Sequence, residues 1–156
     1  MKNEGDAMSG TVGKIGDKKK LDCLIGFKCY ENGKELKGIT EVVLPDVYPH
    51  PCGKKLIKPM KITVNWATLC ETATGFVDGR ERRLEFHGTI QRFDLQSESI
   101  RNHCINVTVH CKLKKLSLGK LDISGNMVTS GVFVADYLRV EIDGVEQLEL
   151  GKSPEK

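Results

Sequence analysis

A chain of 156 residues, 39% hydrophobic and 29% charged, has the size and make-up of one globular domain with its own core, which excludes a disulfide-stapled miniprotein and a disordered tail. No apolar run approaches the ~20 residues a membrane-spanning helix needs, and the opening MKNEGDAMSG lacks the hydrophobic stretch of a secretory signal, so synthesis in a cytoplasm without a membrane partner is expected. A net charge of +3 is too small to argue for nucleic acid by itself.

Residues 1–20 carry Gly5, Gly10, Gly13 and Gly16 followed by Lys18, Lys19 and Lys20, the composition of a mobile N-terminal arm. A single β-rich domain is expected over 21–150, with 151–156 as a C-terminal tail. Leu21, Cys23, Ile25, Phe27 and Cys29 alternate with mostly polar neighbours and predict a strand. Asn32-Gly33 predicts a hairpin turn, with Ile39 to Leu44 as the return strand, stopped by Pro45. Residues 45–59, PDVYPHPCGKKLIKP, hold four of the five prolines and almost no periodicity. A loop of that length is either functional or a plain surface excursion, and its prolines lower the entropy lost on ordering it against a partner.

Met60, Ile62, Val64 and Trp66 alternate with Lys61, Thr63 and Asn65, another strand. ATLCETATG, residues 67–75, is the one helical candidate, with Gly75 expected to close it. Leu84, Phe86 and Ile90 mark a strand through LEFHGTIQRF, and INVTVHCKL, residues 105–113, alternates most cleanly. LSLGKLDI and GVFVADYLRVEI are expected to add two or more strands. Seven to nine strands at hairpin spacing predict a mainly β fold, an antiparallel sandwich or barrel with one short helix, a long proline-rich loop and an N-terminal arm.

YLRVEIDGVEQLEL, residues 137–150, sets turn chemistry against pattern. A two-residue turn at Asp143-Gly144 pairs Ile142 with Val145 but puts Leu148 and Leu150 on the face of Tyr137, Arg139 and Glu141. A three-residue loop, Asp143 to Val145, sets Val140 against Leu148, Leu138 against Leu150 and Arg139 across from Glu149. Both registers stand on sequence, and the hairpin reads as apolar on both faces.

Chemistry is sparse. The six cysteines have no zinc-knuckle spacing; Cys23, Cys29 and Cys111 share the parity of apolar strand positions and read as small core hydrophobes, while Cys52, Cys70 and Cys104 read as free thiols. His50, His87, His103 and His110 fall in none of the HExxH, GxSxG, GxGxxG or Walker spacings. No catalytic residue, metal or cofactor is expected, and a hydrolytic or transfer enzyme finds no named residues. Arg80, Arg82 and Arg83, with Lys112, Lys114 and Lys115, admit a nucleic-acid-binding β-barrel module. That module needs exposed aromatics for base stacking, yet aromatics are 6% of the chain and Phe27, Trp66 and Phe86 fall on apolar faces. Solvated strand edges guarded by Lys and Arg are the plainer reading for most of these cations.

LIGFKCYENGKELKGITEVVLPDV, residues 24–47, resembles the opening of the major tail tube proteins of contractile-tailed bacteriophages through Asn32, Gly33, Gly38, Val42, Leu44 and Pro45. VFVADYLRVEIDGVEQLEL is similar to that family's last strand pair through Tyr137, Asp143 and Gly144. The resemblance implies a structural subunit that forms hexameric rings stacked into a hollow tube, with strands of six chains continuing into one lumen barrel and DNA passing through it. Partners would be further copies of the chain, the tail sheath, the baseplate or initiator and the tail terminator, in a virion tail or a phage-derived particle. A neighbouring chain or the channel wall would then account for apolar residues on the hairpin's second face. Contacts between subunits and rings are expected from the arm and from Pro45, Val47, Tyr48, Pro49, Pro51, Leu56, Ile57 and Pro59. DNA passage requires weak contact with phosphates, so the six basic residues named above are not expected to form one positive lumen ring.

Overall fold

A computed structural model describes residues 22–49, 60–125 and 127–151. The arm and residues 152–156 of the expected tail therefore lie outside the described residues, as do His50, Pro51, Cys52, Leu56, Ile57 and Pro59, whereas Gly151, expected in the tail, ends the last strand. The described chain forms β1 (Cys23–Glu31), β2 (Lys34–Leu36), β3 (Ile39–Val43), β4 (Met60–Trp66), a helical turn α1 (Glu71–Thr74) running into a 3-10 turn (Gly75–Asp78), β5 (Arg82–Asp94), β6 (Ser99–Ser117), β7 (Thr129–Ile142) and β8 (Val145–Gly151). All pair antiparallel in one 8-stranded sheet of order β2-β1-β5-β6-β7-β4-β3, with β8 also on β7. The expected mainly β, antiparallel class holds, as a single sheet curled into a half-barrel.

The curl follows from connectivity. β2 and β3 stand at opposite ends of the sheet order, yet Lys37 and Gly38 alone separate them. Three residue steps reach about 11 Å at most, so the sheet must bend until its edges approach. Gly38 takes φ +90 at that link, where its backbone oxygen accepts from Ala67 N at 3.0 Å. The return strand of the Asn32-Gly33 hairpin is accordingly β2, and Ile39–Val43 pairs with β4 instead of β1. This corrects the expected pairing: alternation identified the strand, but the Gly38 turn sends it to the far edge.

Curling encloses one apolar face. Met60, Ile62, Val64 and Trp66 of β4, Leu84 and Phe86 of β5, Val107, Val109 and Cys111 of β6, and Phe133, Ala135 and Leu138 of β7 are buried there. Phe76, on the 3-10 turn, plugs the interior, with its ring edge-on to Phe133 at 5.2 Å and 6.2 Å from Trp66. Gly131 makes room for this cluster, since a Cβ there would come within 3.2 Å of both the Phe133 and Trp66 rings. The α-helical turn starts later than expected, at Glu71, and Gly75 caps it as expected but with a right-handed φ of −62, so the chain continues into the 3-10 turn, which Gly79 ends at φ +75. Threonine back-bonding explains the brevity of the α-helical turn: Thr74 Oγ1 donates to the carbonyls of Cys70 and Glu71, competing with the helical ladder.

LSLGKLDI is not a separate strand. Leu116 and Ser117 finish β6, and 118–123 pair with no strand among the described residues and leave Leu121 and Ile123 exposed. Thr129, fully buried, ties this excursion back by donating from Oγ1 to the Leu118 carbonyl at 3.1 Å.

Bulges reset parity elsewhere. In β1 the register shifts between Leu24 and Gly26, so Ile25 is the extra residue. Cys29 is buried as expected, but Cys23 is exposed, contrary to the core reading, because the bulge breaks the alternation between them. In β7 Asp136 is the extra residue between the partners of His110 and Cys111. The core side therefore changes from Phe133 and Ala135 to Leu138 and Val140.

The same device settles the C-terminal hairpin. Asp143, φ +52, and Gly144, φ +80, form the two-residue turn, and Ile142 pairs with Val145 and Glu141 with Glu146. Gln147 then bulges, so Val140 meets Leu148, Arg139 meets Glu149 and Leu138 meets Leu150. Both registers occur, in sequence, and Leu148 and Leu150 pack on the core. The hairpin is not apolar on both faces, and no neighbouring chain is needed to explain its pattern. Deleting Gln147 is expected to keep turn and faces in place and to change stability by less than about 1 kcal/mol in urea titrations, whereas deleting Glu149 reverses Leu150 and costs about 2 kcal/mol or more.

Candidate assembly surface

The convex side of the sheet carries its polar alternation. Register aligns these residues in rows across five strands. One runs Lys28, His87, Asn106, Glu141, Glu146; the next runs Tyr30, Glu85, Thr108, Arg139, Glu149. Arg83, His110 and Tyr137 form a third, shorter row. Parity places them here: they alternate with the core residues of the same strands.

Neighbours on this face neutralise one another. Glu85 lies 3.2 Å from Arg83 and 3.1 Å from His87 Nε2, and Arg139 Nε is 3.7 Å from Glu141. The Tyr30 ring packs against His87 at 4.8 Å, and His110 meets Tyr137 edge-on at 5.5 Å. Tyr137 donates its hydroxyl to Glu149 Oε2 at 2.7 Å. Burial, and then this bond to a carboxylate, push the Tyr137 phenol up to about 12. Tyr30 and Tyr137 are thus committed within the face instead of standing as free stacking platforms.

Arg82 works at the rim. Its guanidinium gives Nη1 to Glu31 Oε2 at 2.8 Å and Nη2 to both Asp78 Oδ2 and the Gly75 carbonyl at 2.7 Å, with its carbon 5.0 Å above the Phe76 ring. The Glu31 and Asp78 bonds hold its pKa above the usual value. Asp78 is held well below the carboxylate range by the Arg80 N–H, then by Arg82, with Arg80 Nε also bonded at 2.9 Å. Arg82 is therefore no solvated edge charge. It ties β1, β5 and the Phe76 plug together through a planar fork of donors, which sequence proximity to Arg80 and Arg83 did not reveal. Lys112, Lys114 and Lys115 are exposed, Lys114 as the extra residue of a β6 bulge.

At the far end of β7, Asp143 acts as a strand surrogate for β6. Its N–H donates to the Cys104 carbonyl at 2.8 Å, its Oδ1 accepts from Cys104 N at 2.9 Å, and Oδ2 lies 2.6 Å from His103 Nδ1. The His103 bond first, then the Cys104 N–H, lower its pKa.

The nine positions behind the resemblance divide by role. Asn32, Gly33, Gly38, Asp143 and Gly144 have positive φ and make turns. Val42 packs half-buried on the core, and Tyr137 locks the convex face. Leu44 and Pro45 follow β3 outside any strand, and exposed Val47, Tyr48 and Pro49 come after them; Tyr48 is 78% exposed. The sequence reading missed the Arg82 knot and the Asp143 latch, which join residues 51 and 39 positions apart and leave no local signal. Cys29 and Cys111 are buried thiols pushed up to about 12 by burial, hence unreactive; Cys23, Cys70 and Cys104 are free. Among the described residues no group of three or more His, Cys, Asp or Glu could hold a metal ion.

An antiparallel half-barrel with a charge-neutralised outer face is a structural scaffold in character, and the family comparison agrees. The model of the family described as phage tail tube protein FII matches residues 52–153, which take in β4 to β8 and the complete convex face except β1. The chain belongs to the phage tail tube protein FII family, a structural component of phage tails. No curated protein matches it.

Two outcomes follow from the geometry. Arg82→Met is expected to lose about 2 kcal/mol or more in denaturant titrations, because Glu31 and the Gly75 carbonyl lose their donor, and Arg82→Lys is not expected to restore it, since an ammonium cannot reproduce the fork. Asp143 has a depressed folded pKa, so its latch is present above the unfolded value of about 3.9 and lost as pH falls through the lower folded value. Asp143→Asn keeps the turn chemistry and should flatten the acid limb of stability against pH below about pH 4, measured by thermal melts.

Proposed function

We propose that this subunit builds the tube of a contractile phage tail, or of a phage-derived particle, as hexameric rings stacked around a lumen through which the genome passes during ejection. The observation that carries this reading is the convex face: its arginines already hold carboxylates, so it offers phosphates little free positive charge. On the face Arg83 is held by Glu85 and Arg139 Nε lies 3.7 Å from Glu141, and at the rim Arg80 and Arg82 are held by Asp78, Arg82 also by Glu31. A surface that bound DNA through many free cations would hold it by counterion release and impede passage. Lys112, Lys114 and Lys115 do not combine with these arginines into a continuous inward ring.

The mechanism is mechanical. The tube resists compression while a sheath contracts around it, and it joins a baseplate or initiator at one end and a terminator at the other. Leu44, Val47 and Tyr48 are apolar and exposed beside Pro45 and Pro49. We place them, with Pro51, Leu56, Ile57 and Pro59, at contacts between subunits or rings. The arm over 1–20 serves the same role, and 21–150 act as one domain. Virion assembly takes place in the host cytoplasm, without catalysis.

Negative-stain electron microscopy of the purified protein at high concentration and moderate salt should show rings or hollow rods. A protein that stays monomeric and instead binds oligonucleotides with steep salt dependence would overturn this reading in favour of a nucleic-acid-binding barrel.

A further inference from the structure

β5 and β6 outrun their neighbours. β1 follows β5 as far as the pair Cys23 and Gln91, and β7 meets β6 from the pair Ile142 and Ile105, yet β5 and β6 stay paired out to Asp94 and Ser99. Residues 92–101 therefore form a two-stranded ribbon with no strand beside it among the described residues, an arrangement that backbone pairing alone holds only marginally. No register shift interrupts β5 against β6, so the parity of the core residues Leu84 and Val109 continues along the ribbon. On that side it carries, in successive rows, Ile90 and His103, Arg92 and Arg101, then Asp94 and Ser99.

Arg92 thus stands directly across from Arg101, and both are exposed. Like charges so placed have Cβ atoms about 5 Å apart and destabilise the strand pair. The carboxylates close by are committed elsewhere. Asp22 Oδ1 accepts from Phe93 N at 3.0 Å, Asp94 Oδ1 accepts from Gln96 N at 3.0 Å, and Asp143 is taken by His103 and Cys104. Asp94 Oδ2 lies 3.8 Å from Arg101 Nε, a loose contact, and Arg92 has no carboxylate at ion-pair distance among the described residues. Arg82 shows the contrast, with Glu31 at 2.8 Å and Asp78 at 2.7 Å.

Two adjacent guanidiniums offer their planar forks to one oxyanion, and a phosphate-type dianion neutralises both cations where a carboxylate neutralises one. The flanks select a small ion. Asp94 stands on one side of the pair and the His103-bound Asp143 on the other, so a strand of nucleic acid lying along the ribbon would set its next phosphate against a carboxylate. No Phe, Tyr or Trp shares this side for bases to stack on, since Phe93 pairs with Ile100 on the opposite one.

We propose that Arg92 and Arg101 form a binding site for one free phosphate-type oxyanion, which bridges the two guanidiniums and fastens the ribbon. Without the ion the cross-strand pair is repulsive; with it the same pair becomes a clamp. Only the paired ribbon presents both forks together, so ion binding and ribbon closure are linked.

The test is hydrogen exchange of the full chain, read by mass spectrometry on peptides covering 92–101, with inorganic phosphate added at neutral pH and ionic strength held constant by chloride. Phosphate at ten times its half-effect concentration should slow exchange of the ribbon by about tenfold and leave the core of β7 unchanged. Arg92→Gln and Arg101→Gln should each abolish the phosphate effect, while exchanging in chloride no faster than wild type because the repulsion is gone. A variant that merely damaged the ribbon would exchange faster. Wild-type exchange indifferent to phosphate, or variants that respond as wild type does, overturn the site. Single-stranded DNA that protects the ribbon at lower phosphate concentration than the free ion assigns the site to a polymer and overturns the proposal as well.

Discussion

The link of Lys37 and Gly38 is the constraint on which the molecule depends. It joins strands that stand at the two ends of the sheet order, so the sheet cannot lie flat and its apolar face must turn inward. A flat sheet of this sequence would need a second layer to cover Met60, Ile62, Val64, Trp66 and Phe133. Curling replaces that layer, and the Phe76 turn fills the gap that remains at the open end. Arg82 then holds the plug in place from the rim by grasping Glu31 on one side and Asp78 on the other. Burial of about 1.5–3 kcal/mol per large apolar side chain supplies the drive; the link and the fork decide the shape in which it is realised.

Bulges let long strands follow that curvature. β6 runs for 19 residues and β7 for 14, and both must bend around the core. Ile25, Lys114, Asp136 and Gln147 each insert one residue, bend the strand and exchange its faces. Asp136 has a second consequence: one edge of β7 is shared, with β4 paired up to Ala135 and β8 ending opposite Tyr137. Gly151 sits at this junction, where a Cβ would collide with the Asp136 carbonyl oxygen. The outer half of the subunit therefore consists of two short strands laid end to end along one long one.

Much of this was legible locally. Period-2 alternation located β1, β4, β5, β6 and β7, and Asn-Gly and Asp-Gly identified two turns that the φ angles bear out. What failed was parity across bulges and the partner of each strand. Cys23 and the LSLGKLDI segment were misread because periodicity does not record an inserted residue or a missing neighbour. The Asn32-Gly33 hairpin was assigned the wrong return strand because three residues, Lys34–Leu36, are too few to show alternation. The Leu148 register was undecidable because turn and pattern were both correct and the bulge between them has no sequence signature at Gln147. The convex face suffered most: a row such as Tyr30, Glu85, Thr108, Arg139 and Glu149 exists only once five strands are in register.

That face has a physical logic independent of any single pair. Surface ion pairs contribute little to stability, of the order of 0–1 kcal/mol each, so a lattice of Arg83, Glu85, Arg139, Glu141 and Glu149 does little to hold the fold. What it does is remove free charge from a broad area while keeping the area wet and non-adhesive. Lys28 stands exposed at the β1 end of one row, and Glu141 and Glu146 stand at its other end. The register of five strands thus gathers residues from distant parts of the chain into one charge-paired face on the side of the sheet away from the core.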